Sequence, residues 1–365
     1  MMRTFLENGF KAFLKAASWN WKPYSRLILY GDSVGWSLDW DMRELANISR
    51  RLSVRLVRPH WKHAATPQSF FFASQFFLED DAWLRFLPGR IAFSYFHGLP
   101  NTGDKLMDRV YNGLRIHHEK LARIQVTHSE MREVTLSTGI DPAKVFTIPI
   151  GINLDYFPWQ TAEAKKHNRE RLGIPQSAFV VGSFQKDGNG WGDGLEPKLI
   201  KGPDVFLDTI RRLKSAIPEL FVLLTGPARG YVKKGLEEMN VPYKHTYYKH
   251  YPEVAEMFAA LDLYIVASRQ EGGPKAILES MASGVPLVTT RVGQAMDIVR
   301  HGVNAWMTEV ENAEALATFA LQVYRSDSET LGKVLKAGRA TAEANSYDSQ
   351  TAMWKDFMDG FVEHS

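Results

Sequence analysis

The sequence predicts an α/β protein built from two doubly wound domains facing a cleft. Three observations carry that reading. Short apolar runs rich in β-formers, among them LILY (27–30), LFVLLT (220–225) and LDLYIVA (261–267), read as strands buried on both faces of parallel sheets. Glycine-bearing turns follow them, and strand alternates with helix twice along the chain. Between the two sets, the stretch from Pro158 to Pro175 is polar and charged and reads as the link. The expected domains are therefore 1–158, with a closing helix over 346–365 packing back on it, and 170–345.

In the first set, Leu27–Tyr30 is a strand and GDSVGWS (31–37) a glycine-bearing turn. Asp41 to Leu52 places Met42, Leu45, Ala46, Ile48 and Leu52 on one helical face, and Val54–Val57 is a second strand. FFFASQFF (70–77) is too aromatic for a surface loop and too irregular to place. RIAFSYFHG (90–98) is a strand ending in His97. Residues 124–140 read as a strand, a cap near Ser129 and a helix closed by Gly139. Residues 144–157 are a strand and a turn.

In the second set, strands are expected at Phe179–Phe184, Leu220–Thr225, Leu261–Ala267 and Val285–Thr289. Helices are expected at Pro203–Leu213, Pro252–Ala260 and Ala313–Tyr324, with a final one from Ser349 to Glu363. DGNGWGDG (187–194) reads as a long flexible loop between a strand and its helix.

The chain has 365 residues, 45% apolar and 23% charged, enough for two domains with real cores. A formal net charge of +3 gives no argument for nucleic acid. The absence of cysteine excludes disulfides, thiolate metal sites and a cysteine nucleophile. No run of eighteen apolar residues suggests a membrane span. Near the start, Glu7, Asn8, Lys11 and Lys15 interrupt any signal-peptide core. Phe5, Leu6, Phe10, Phe13, Leu14 and Ala17 share a helical face there. Residues 1–22 thus either pack on their own domain or lie peripherally on a membrane. The expected location is the cytoplasm, with or without that contact.

The chemistry concentrates in SRQEGGPKAILESMASGVPLVTT (268–290). Glu271 stands just past a strand, Gly272 and Gly273 break the run, Pro274 suits a helix start, and Glu279 falls about two turns into the helix. The carboxyl end of a strand in an open α/β sheet is where ligands bind.

This segment, extended to Val299, resembles the signature of family-4 retaining glycosyltransferases of the GT-B fold, whose domains are Rossmann-like. KVFTIPIGINLDYF (144–157), LIKGPDVFLDTI (199–210) and LFVLLTGPARG (220–230) resemble further parts of that family, so the likeness covers most of residues 125–325. The resemblance implies a nucleotide-sugar donor, transfer of its sugar to a carbohydrate or lipid-linked hydroxyl, and a part in polysaccharide, glycan or glycolipid synthesis. It implies that Lys201 meets the diphosphate, that Glu279 accepts hydrogen bonds from the ribose hydroxyls, and that Glu271 faces the transferred sugar. Backbone near Gly272 and Gly273 would approach sugar or phosphate oxygens, where a missing Cβ helps. From the first domain, Gly35 would approach the diphosphate and His97 would contact the donor sugar. The family arginine after the domain's first strand is replaced by Ser183, so that cation is either missing or supplied by Lys186.

Asp39-Trp40-Asp41 imitates an Asp-x-Asp metal motif but precedes a helical apolar face, so a helix-start charge explains it. His117-His118 and the acidic run 79–81 lack metal-ligand spacing, and no metal or other cofactor is expected. Rival readings are a nucleotide-sugar epimerase of the same fold, a phosphorylase using pyridoxal phosphate, and a non-catalytic glycan- or nucleotide-sugar-binding protein.

Overall fold

The computed structural model describes residues 22–31, 37–59, 67–79, 84, 87–248 and 250–363. Gly35 and the amphipathic segment 1–21 lie outside them. The chain divides into two compact units, Met1–Pro149 with Gln350–Ser365, and Ile150–Ser349. Each carries a six-stranded parallel sheet with helices, the α/β class read from the sequence.

The strands of the first unit are β1 (Leu27–Tyr30), β2 (Leu56–Val57), β3 (Ser69–Phe72), β4 (Arg90–Tyr95), β5 (Leu121–Val126) and β6 (Val145–Thr147). They lie in the order β2-β1-β3-β4-β5-β6. Its helices are α1 (Ser37–Arg51), α2 (Lys105–His117) and α3 (Ser129–Leu136). The aromatic run that sequence periodicity does not place spans two elements, the central strand β3, paired with β1 and β4, and a 3-10 turn at Gln75–Leu78. Phe70, Phe71 and Phe72 are buried because both faces of that strand are covered. Asp39 falls in the first turn of α1, consistent with a helix-start charge.

In the second unit, β7 (Phe179–Phe184), β8 (Leu220–Thr225), β9 (Tyr243–His245), β10 (Leu263–Val266), β11 (Leu287–Thr290) and β12 (Trp306–Thr308) run in the order β12-β11-β10-β7-β8-β9. Its helices are α4 (Ala162–Leu172), α5 (Pro203–Lys214), α6 (Gly230–Glu238), α7 (Val254–Phe258), α8 (Lys275–Ser283), α9 (Ala295–Ile298), α10 (Ala313–Arg325) and α11 (Ser328–Ala344). Alternate residues feed two cores, Val180 and Tyr264 on one face of the sheet and Val181 and Ile265 on the other. The chain winds outward from β7 through β8 to β9, then returns to β10 beside β7 and winds the other way. The β7/β10 seam is thus the topological switch point, and a crevice opens at the carboxyl ends of such strands. The closing helix α12 (Thr351–Met358) belongs to the first unit, where Trp354 and Phe357 meet Phe71 edge-on.

Two expectations change. The polar stretch expected to be a link contains α4, within the second unit. It has no apolar stripe and is anchored by charge instead. Lys165 and the buried Arg169 both pair with Asp262, and Thr161 and Gly173 cap its ends. The glycine-rich segment 187–194 is tied down rather than loose. Gly188 bridges Pro197, Asn189 N donates to Glu196 O, and Gly230 N and Tyr231 N donate to Asp193 O and Gly194 O.

Candidate active site

The site is assembled from two loops at the carboxyl ends of β7 and β10. The segment after β7 closes with a 3-10 turn, Leu199–Lys201, capped by Gly202 at φ +63°. A Cβ at Gly202 would stand 1.9 Å from the Ala267 carbonyl oxygen, so glycine is what lets this turn lie against the end of β10. Pro203 then starts α5. The loop after β10 is bonded to the same turn, because Arg269 N and Gln270 N both donate to Ile200 O. Arg269 reinforces it, donating to Leu199 O at 2.7 Å and to both oxygens of Asp204 at 2.8 and 2.7 Å. Those bonds hold the Asp204 carboxyl below its ordinary pKa and lift the Arg269 guanidinium further.

The two loops bring Lys201 and Glu271 into contact, with Lys201 Nζ 2.6 Å from Glu271 Oε2. Ser268 Oγ donates to the other oxygen, Oε1, at 2.9 Å. Both oxygens of Glu271 are therefore engaged. Glu279 lies little more than one turn into α8, since Pro274 is the cap and Lys275 the first helical residue. It is 4% exposed and accepts a hydrogen bond from the Tyr251 hydroxyl. Lys275 Nζ lies 5.2 Å from the Tyr251 ring centroid and donates to the Tyr347 hydroxyl at 3.3 Å.

Gly272 and Gly273 form the turn between Glu271 and α8. Gln294 fixes it, donating from its backbone N to Gly272 O at 3.2 Å and accepting from Ile150 N through Oε1 at 2.9 Å. A Cβ at Gly273 would meet Gln294 Oε1 at 2.8 Å. Under the floor, Tyr264 OH accepts from Phe184 N at 2.8 Å, and burial pushes its phenol pKa far up.

At the position the resemblance gives to an arginine, Ser183 is buried and meets an arginine from the loop that follows β8, at the start of α6. Arg229 donates to Ser183 O at 2.6 Å, Ser183 Oγ at 3.2 Å, Thr225 O at 2.7 Å and Asp187 Oδ1 at 3.0 Å. Both members of the Arg229–Asp187 pair are essentially inaccessible, so this arginine supports the site from below. Lys186 stacks over Trp191 at 4.1 Å. His97 lies in the first unit, two residues past β4. Gln75 fixes its backbone, accepting from His97 N at 3.2 Å and donating to His97 O, and the Phe76 ring stands 6.2 Å from the imidazole.

Sequence reasoning missed Arg229, Asp187, Tyr251, Gln294 and Gln75. Tyr251 and Gln75 leave no periodic trace, while Arg229 could have been found from its place in TGPARG, directly past a buried strand. Among the described residues no group of three or more His, Asp or Glu side chains is placed to hold a metal ion, and no helix is long and apolar enough to cross a membrane.

Residues 195–340 match the model of glycosyl transferases group 1. That range contains Lys201, Glu271 and Glu279. A D-inositol 3-phosphate glycosyltransferase of Corynebacterium urealyticum is 24% identical over 216 residues, covering 56% of this chain and 49% of the relative. An Escherichia coli protein named UDP-Gal:alpha-D-GlcNAc-diphosphoundecaprenol alpha-1,3-galactosyltransferase is 24% identical over 61% of this chain and 57% of its own length. The chain spans about half the length of the curated relatives it matches. Among solved structures, Anabaena HepE in complex with UDP and glucose superposes with TM-score 0.72 at 15% identity, over 92% of this chain and 99% of that one. A glycosyltransferase from Rickettsia africae gives TM-score 0.70 at 15% identity, over 94% and 100%. At that identity the likeness shows the fold, two Rossmann-like α/β units of the GT-B class.

Proposed function

We propose that the protein is a retaining glycosyltransferase that moves a sugar from a nucleoside-diphosphate donor to an acceptor hydroxyl. The observation that carries the proposal is the Lys201–Glu271 pair at the switch point, with the buried Glu279 on the helix that follows. The family match over 195–340 contains all three, which supports the reading.

Each residue then has a chemical task. Lys201 places an ammonium where the departing diphosphate gathers charge, and the start of α5 adds backbone donors. Glu279 is an acceptor suited to the two ribose hydroxyls, and donor binding exchanges or shares the Tyr251 hydrogen bond. Glu271, held through both oxygens, orients the sugar beside the Gly272-Gly273 turn. That double engagement favours holding over attack, so a donor phosphate oxygen takes the acceptor proton and the new bond forms on the face the leaving group departs. The transition state has oxocarbenium character. His97 contacts the transferred sugar, and no obligatory metal or other cofactor takes part. Lys186 stands in reserve near the diphosphate. The acceptor is a carbohydrate or a lipid-linked sugar, in keeping with the name of the E. coli relative. The work belongs to polysaccharide or glycolipid assembly at the cytoplasmic side, with residues 1–22 as the membrane contact.

The test incubates the protein with UDP-, GDP- and ADP-sugars, with and without sugar or polyprenyl-diphosphate-sugar acceptors, and measures nucleoside diphosphate release. Acceptor-dependent release with one donor is expected, and Glu271→Ala should lower it by about a hundredfold or more. No release with any donor would overturn the proposal.

A further inference from the structure

Lys201 does not bring a free charge to the site. Its ammonium is already 2.6 Å from Glu271. Any anion that binds there needs positive charge beyond this pair. Three residues earlier, Lys198 supplies a candidate that the sequence did not single out. Lys198 is half-buried, and its ammonium has no hydrogen-bond or ion-pair partner among the described residues.

The backbone at Lys198 is fixed at both sides. Its N–H donates to Asp187 O at 2.7 Å, and its carbonyl accepts from Lys201 N at 2.8 Å. Asp187 is itself held by the buried Arg229, which also grips Ser183 at the end of β7. The tether therefore runs from the sheet through Arg229 and Asp187 to Lys198, and Lys198 is delivered one turn before Lys201 on a braced segment. The carboxylate of Asp187 cannot neutralise the neighbouring lysines, because Arg229 takes its charge.

Lys201, Lys186 and Glu271 all lie close enough to Lys198 to act on its charge. Burial, then repulsion from Lys201 and Lys186, pulls the Lys198 pKa below its ordinary value, and the opposing pull of Glu271 does not restore it. A half-buried ammonium pressed by two others is an unfavourable arrangement that an anion would relieve. A lysine can satisfy phosphate oxygens as a compact point charge, without the fixed geometry an arginine fork requires.

We propose that Lys198 is a second ammonium ligand for the donor diphosphate, acting beside Lys201 and braced by the buried Arg229–Asp187 pair. This rests on the nucleotide-sugar reading above and assigns the second cation to a residue in this chain's own 187–201 segment.

The experiment compares the wild-type protein with Lys198→Met and Lys198→Arg by calorimetric titration. The probes are UDP, GDP and ADP, the matching nucleosides, and inorganic pyrophosphate as a probe without a base. For whichever diphosphate the wild type binds, Lys198→Met should weaken affinity about tenfold and flatten its salt dependence. Nucleoside affinity should stay unchanged, the ligand-free melting temperature should hold or rise as the crowded ammonium is removed, and Lys198→Arg should recover most of the loss. Equal diphosphate affinity in Lys198→Met and wild type would overturn the proposal. So would parallel loss of nucleoside and diphosphate binding with a lowered melting temperature, which would make Lys198 a structural residue. Wild-type binding of pyrophosphate that depends on Lys198, with no nucleotide bound, would uphold the anion site and remove the nucleotide-sugar reading. No binding of any probe by the wild type would remove both.

Discussion

Replacing Arg229 with methionine removes the brace under the site. The guanidinium makes four hydrogen bonds of 2.6–3.2 Å, to Ser183 O and Oγ, Thr225 O and Asp187 Oδ1. Asp187 is 0% exposed, and its other oxygen, Oδ2, has no partner among the described residues. Burial already raises the Asp187 pKa, with Arg229 pulling it back. Without the arginine, a buried carboxylate is left uncompensated, and breaking such a pair costs about 3–5 kcal/mol. The loss is expected in urea unfolding, followed through hydrogen exchange of the Leu220–Thr225 amides so that the second unit alone is read. The double substitution Arg229→Met/Asp187→Asn should lose clearly less than the sum of the two single ones, because neither charge remains to be stranded. A single-variant loss below about 1 kcal/mol, or strict additivity in the double variant, would refute the reasoning.

Two further substitutions test other joints. Gly202→Ala combines a left-handed backbone with a Cβ 1.9 Å from Ala267 O, and should cost about 2–4 kcal/mol by thermal unfolding while weakening diphosphate binding. Tyr251→Phe removes the hydroxyl donated to Glu279 and should cost about 1–2 kcal/mol of stability. Because the Glu279 carboxyl stays in place for the ribose, that variant should lose less donor affinity in titration than Glu279→Gln does.

The parts legible in the sequence are those written by apolar patterning. The strands around 27–30, 179–184, 220–225 and 261–267 stand where their buried runs predict, and the acid-turn-acid segment follows its strand as read. The aromatic run at 70–77 resists placement because it spans a strand buried on both faces, where alternation disappears, and a 3-10 turn that leaves Phe76 exposed. Helix α4 escapes for the opposite reason, since charge rather than an apolar stripe holds it. The Arg229–Asp187 contact joins residues 42 apart, and no local pattern reports a pairing made only when β7 and β8 lie side by side. The same holds for Gln75 at His97 and Tyr251 at Glu279. The glycines of 187–194 suggest looseness, yet at Gly188 and Gly194 they permit close packing against Ala228 O, where a Cβ would stand at 2.4 and 2.2 Å.

The proposed transfer requires that a nucleoside-diphosphate sugar be gripped at the carboxyl ends of β7 and β10. Titration of UDP-, GDP- and ADP-sugars into wild-type protein and Glu279→Gln measures this directly. One donor family should bind the wild type, with affinity about tenfold weaker in the variant as one of the two carboxyl acceptor oxygens for the ribose is lost. Absence of heat with every donor, or equal affinity in both proteins, would contradict it.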